Sequence, residues 1–248
     1  MNHHVTIQRK FRALTTAVAA LMLGIAGAQS TYAQSTYAQD TYAQDTYAQD
    51  TYASPADRQD CPTTAELFAT DNTAIITNPD DPRLENRLTR FAHEVRAIIR
   101  AHGARPGASE LLDGVFWSAE QQQVTYERSR EFDVNRVGRD GLHHIAGVIA
   151  KRYDQESVLT FRCLPRTSPE TDAVEIEVPG VTPGDLRAAL LLDAEAREKL
   201  GGASATLDGR LILVAPVAEL PLARKVTADL GADWNEAQLR YGDREFVS

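Results

Sequence analysis

From Cys61 onward the apolar residues keep changing period, and this restricts the fold of the chain more than any motif in it. Leu84, Leu88, Phe91, Val95, Ile98 and Ile99 recur at helical spacing, as do Leu142, Ile145, Ala146, Ile149 and Tyr153. Before, between and after them stand β-rich runs: "TAIITN" (73–78), "GVFWSAEQQQVTY" (114–126) and "SVLTFRC" (157–163). A stripe repeating every 3.6 residues cannot bury the same side chains as a strand of period two. The order is therefore β-α-β-β-α-β.

Beyond the linker "LPRTSPETD" (164–172) the order returns. "AVEIEV" (173–178) is a strand, and Thr182-Pro183-Gly184-Asp185 forms a capping box that opens a helix ended by Gly201-Gly202. "ASATLDGRLILV" (203–214) holds Asp208-Gly209 between β-rich arms, a hairpin signal. A helix over about 218–230 and a strand at 237–242 complete the series. The expected fold is α+β: two tandem β-α-β-β-α-β (ferredoxin-like) modules, 61–165 and 166–248. A single α+β domain with one mixed sheet is the alternative.

The N-terminal 60 residues have another character. Arg9, Lys10 and Arg12 precede "ALTTAVAALMLGIAGA", and Ala26-Gly27-Ala28 closes it, the pattern of a signal peptide (1–28) cleaved after Ala28. Five copies of Gln-(Ser/Asp)-Thr-Tyr-Ala follow. A period of five turns successive tyrosines 140° around a helix and onto opposite faces of a strand, so no single aromatic face forms. Residues 29–60 are expected to be a disordered spacer.

The 248 residues carry a formal charge of −9, and loss of the leader, with three basic residues and no acid, makes it about −12. Such a surface repels phosphate backbones and anionic headgroups, and no Lys/Arg run overrides it. Nucleic acid, and membrane after signal cleavage, are not expected partners; another protein or a cell-surface component is. The two cysteines, Cys61 and Cys163, in a chain bound for a secreted or periplasmic location, are expected to form a disulfide.

Motifs for chemistry are sparse. "HEVRA" (93–97) lacks the second histidine of HExxH, no glycine-rich phosphate loop opens a helix, and no G-x-S-x-G elbow occurs. His143 and His144 are helix neighbours about 100° apart and cannot chelate one ion as an i, i+4 pair does. No metal site and no cofactor are expected. "ERSREFDVNRVGRDG" (127–141) reads as a long polar loop, with Arg130, Arg136 and Arg139 as candidate contacts for an anion or partner.

The function these features favour is a non-catalytic binding module. Small exported α+β units with a Trp-bearing hairpin resemble, in outline, propeptide or inhibitor modules of extracellular proteases. The alternatives are a secreted hydrolase or transferase that uses the 127–144 segment, with His143 or His144 as acid-base, and surface adhesion through the tyrosine repeat.

Overall fold

"AELFA" sends Ala65, Leu67 and Ala69 to one side of an extended chain and Glu66 and Phe68 to the other, and the same division runs through every strand of the molecule. The computed structural model describes residues 61–118, 121–200 and 202–248; the expected leader (1–28) and spacer (29–60) lie outside them. The strands are β1 (Ala65–Ala69), β2 (Arg105–Ser118), β3 (Gln123–Asn135), β4 (Val158–Cys163), β5 (Ala173–Pro179), β6 (Gly202–Thr206), β7 (Arg210–Pro216) and β8 (Gln238–Val247). The helices are α1 (Thr89–Ala101), α2 (Arg139–Tyr153), α3 (Pro183–Leu192), α4 (Ala194–Lys199) and α5 (Leu220–Asp229).

Two tandem ferredoxin-like modules do not form. The strands close into one antiparallel barrel in the order β1-β3-β2-β6-β7-β5-β8-β4, with β4 returning to β1. Two separate sheets would leave four edges. Instead β2 pairs with β6 from Leu112 to Gly114, and β4 pairs with β8 from Val158 to Cys163. Closure satisfies the N–H and C=O groups that edge strands would expose. Every strand pair is antiparallel, which also overturns the mixed sheet.

Three further expectations change. The first strand is β1, not 73–78, where Ile76 makes only an isolated bridge to Tyr126. "ERSREFDVN" is not a loop but the second half of β3, which pairs residue by residue with β2 and β1. The helical stripe that begins at Leu84 is not one helix. Asp81 caps a short 3-10 turn (Pro82–Glu85), Leu88 adopts a left-handed conformation (φ 51°), and α1 starts after it. The capping box stands as read: the Asp185 N–H donates to Thr182 Oγ1 (3.2 Å) and the Thr182 N–H to Asp185 Oδ2 (3.1 Å).

One face of each strand packs beneath helices. Leu67, Phe132, Val134 and Val158 meet Phe91, Val95, Ile99, Leu142, Ile145 and Ile149 of α1 and α2. Val174, Ile176, Leu211 and Leu213 meet Leu186, Leu190, Leu222 and Val226 of α3 and α5. The helices therefore coat the outside, and the alternate residues point into the barrel. There Phe161, Ala173 and Val214 form a small apolar plug with Phe68, Leu159 and Cys163 at its margin.

Cys61 and Cys163 form the disulfide (Cα–Cα 5.2 Å), tying the lead-in to β1 onto the end of β4 across 102 residues of sequence. Cys163 pairs with Gly242 of β8. A Cβ at Gly242 would press on the Arg162 carbonyl and come within 2.7 Å of the Phe161 ring, so only glycine lets β4 and β8 approach here.

Two stability effects follow. In guanidinium unfolding, Cys61→Ser with Cys163→Ser should lose about 4 kcal/mol, because the freed loop regains closure entropy. Gly242→Ala should lose about 1–3 kcal/mol by overpacking, whereas Gly103→Ala, where a Cβ meets nothing within 4 Å, pays only for its positive φ (79°).

Candidate functional site

The odd-numbered residues of β3 explain the interior. Glu127, Ser129, Glu131 and Asp133 face inward, while Phe132 and Val134 serve the outer core. Inward positions on other strands add Glu66 (β1), Glu110 (β2), Glu175 and Glu177 (β5), Arg210 (β7) and Arg240 (β8). The ion pairs show that these share one space, since two of them, Arg240–Glu66 and Arg210–Glu110, join strands that are not neighbours. Arg240 bridges Glu66 and Glu175 and reaches Glu177 at 3.0 Å; Arg210 bridges Glu110 and Glu177.

Two guanidiniums thus face an excess of carboxyl groups in a desolvated setting. Glu66 is held well above the ordinary carboxylate range, first by burial and then by the charge of Glu175 beside it. Burial raises Glu175 in the same direction. Burial, with the charges of Glu66 and Glu177 added, pushes Glu131 up to about 8. Glu127 stands apart from the two arginines, beside Gly114, where a Cβ would lie 2.7 Å from its Cγ. Burial alone pushes its carboxyl up to about 7.

At one rim of the barrel the β2–β3 register slips between Pro106 and Ser109. This bulge presents the Ala108 N–H to Asp133 Oδ2 at 3.0 Å, and Gly107 leaves no room for a Cβ beside Asp133. Outside it lies a crevice of about 380 Å³ lined by Thr63, Arg105, Pro106, Gly107, Asn135 and Arg136. A neighbouring hollow adds Arg100, at the end of α1. The Thr64 hydroxyl donates to Asn135 Oδ1 (2.7 Å), so the disulfide-anchored lead-in forms part of this wall. Arg136 holds a left-handed backbone (φ 59°), uncommon for a non-glycine residue. Arg100, Arg105 and Arg136 are exposed, and none of the three forms an ion pair with a described carboxylate.

The residues singled out in the sequence are dispersed. Arg130 lies on the outer side of β3, where its guanidinium donates to Ser109 Oγ (2.9 Å) and to the carbonyls of Ser109 (3.0 Å) and Arg87 (2.8 Å). Arg139 starts α2 and pairs with Glu245 (3.2 Å) and Asp243 (3.5 Å). His143 Nε2 lies 3.1 Å from Glu245, and the exposed His144 ring packs edge-on against His102 at 4.7 Å. Only Arg136 of the candidates reaches the crevice. The inward acids were missed because charges alternating with apolar residues resemble a solvated loop. The period-two placement of Glu127, Glu131 and Asp133 against Phe132 and Val134 was the available signal.

No protein-family model matches the chain, and no curated protein matches it.

Glu127 makes stability depend on pH in a set direction. Its folded pKa (about 7) lies above its unfolded value (4.5), so the native state holds more protons between them. The stabilisation is complete below pH 4.5 and is lost as pH rises through 7. Glu127→Gln should flatten this fall and exceed the parent at pH 8 by roughly 1–3 kcal/mol, read from urea unfolding across pH 5–8.

Proposed function

We propose that this chain is an exported, non-catalytic binding protein that receives an acidic segment of a partner protein at the arginine-lined rim of its barrel. One observation carries the reading: Arg100, Arg105 and Arg136 border adjoining hollows, exposed and without carboxylate partners among the described residues, on a chain with a surplus of acid. Most of the other arginines near carboxylates are already engaged, as Arg83, Arg128, Arg139, Arg162, Arg210 and Arg240 are. Guanidiniums left free around a concavity supply the forked donors that carboxylates accept.

Export is supported by the Cys61–Cys163 bridge, which belongs to an oxidising compartment, and by the expected leader. Among the described residues, no helix is long and apolar enough to cross a membrane.

The test is fluorescence anisotropy with a labelled oligoglutamate peptide. The mature chain should bind it with an affinity that falls as salt rises, and Arg105→Glu with Arg136→Glu should weaken it at least about tenfold. An unchanged affinity in that variant would remove the rim as the binding surface. Circular dichroism of the variant keeps misfolding from being mistaken for lost recognition.

A further inference from the structure

Arg240 saturates only half of the carboxylates it holds. Its guanidinium bonds Oε1 of Glu66 and Oε1 of Glu175, and neither Oε2 receives a donor from another residue; the two carboxyl groups instead lie within hydrogen-bonding reach of each other. Both side chains are almost wholly buried, Glu66 at 3 % exposure and Glu175 at 0 %. Two carboxyl groups in such contact away from water need positive charge between or beside them, supplied by a shared proton or by a cation. Beside them, one carboxylate oxygen from each of Glu66, Glu131 and Asp133 lies within 4.8 Å of the other two.

We propose that Glu66, Glu131 and Asp133 bind a hard divalent cation inside the barrel, with Glu175 flanking the site. The spacing fits such an ion: calcium–oxygen distances of about 2.3–2.6 Å place opposite ligands about 4.6–5.2 Å apart. The donor set is all oxygen, which selects calcium, magnesium or manganese over softer metals that prefer nitrogen and sulfur. The scaffold is rigid where it must be. Glu66 faces Asp133 in the β1–β3 register, Glu131 follows on the same strand, and the Ala108 N–H orients Asp133 through its Oδ2. Glu131 and Asp133 retain partial solvent contact, which gives an ion access. Arg240 opposes binding, and its bonds to Glu66 and Glu175 limit how far those side chains can turn. The site should therefore be of moderate affinity and favour the larger calcium, which tolerates irregular geometry, over octahedral magnesium.

The experiment titrates the chelator-treated mature chain with calcium, magnesium and manganese, following heat by calorimetry, melting temperature, and free manganese by electron paramagnetic resonance. One ion per chain should bind, with a saturable rise in melting temperature at millimolar calcium or below. Glu131→Gln and Asp133→Asn should each weaken binding at least about tenfold. Asp229→Asn, on the exposed end of α5, should leave it unchanged. Should these variants fail to fold, the manganese titration of the unaltered chain still decides. An absence of stoichiometric binding of all three ions, with Glu131→Gln raising the melting temperature regardless of ion, would mean that a proton satisfies the cluster and would overturn the proposal. So would binding that survives both ligand substitutions.

Discussion

The guanidinium of Arg240 holds together what the barrel would otherwise force apart. It reaches from β8 to Glu66 on β1, two strands away around the wall, and to Glu175 and Glu177 on its neighbour β5. Taking these charges out of water costs several kcal/mol per ion, and their mutual attraction repays that only while all partners stay in place. Removing the cation alone would leave buried carboxylates facing one another. The interaction is thus a weak source of net stability and a strong source of specificity: it fixes which strands stand opposite each other across the interior.

The interior is polar because the apolar residues are used elsewhere. Each strand has one face for a core, and the helices claim the outer one, with α1 and α2 against β1, β3 and β4, and α3 and α5 against β5 and β7. What remains inside is a small apolar plug around Phe161 and a larger field of carboxyl groups bridged by Arg210 and Arg240. Eight strands close a barrel whose interior side chains normally fill. Here glycines at 114 and 242 provide the room that longer side chains consume, beside Glu127 and Phe161 respectively.

Charge is sorted in space to a degree the composition does not reveal. Seven carboxyl side chains, those of Glu66, Glu110, Glu127, Glu131, Asp133, Glu175 and Glu177, line the interior, while three arginines that form no ion pair with a described carboxylate gather at the rim around the Pro106–Ser109 bulge. The disulfide connects this rim to the far end of β4, so the wall formed by Thr63 and Thr64 is anchored covalently as well as by the hydrogen bond to Asn135. The histidines lie outside this arrangement. His143 is drawn to Glu245, and His144 rests on His102.

Local chemistry was legible where it depends on near neighbours in the chain. The stripe of α2, the Thr182–Asp185 capping box and the hairpin at Asp208-Gly209 all appear in the sequence, because periodicity, caps and turns are decided over a few residues. Two cysteines were enough to name the bridge. Strand partners were not legible. Whether β2 and β4 remain edges or find β6 and β8 depends on matching surfaces about 90 residues apart, for which no local signal exists. The same closure decided the site. "ERSREFD" is a run of alternating charge until a barrel gives one side of it an inside, and only then do Glu127, Glu131 and Asp133 become inward carboxyl groups, the last two beside Glu66, rather than a solvated loop.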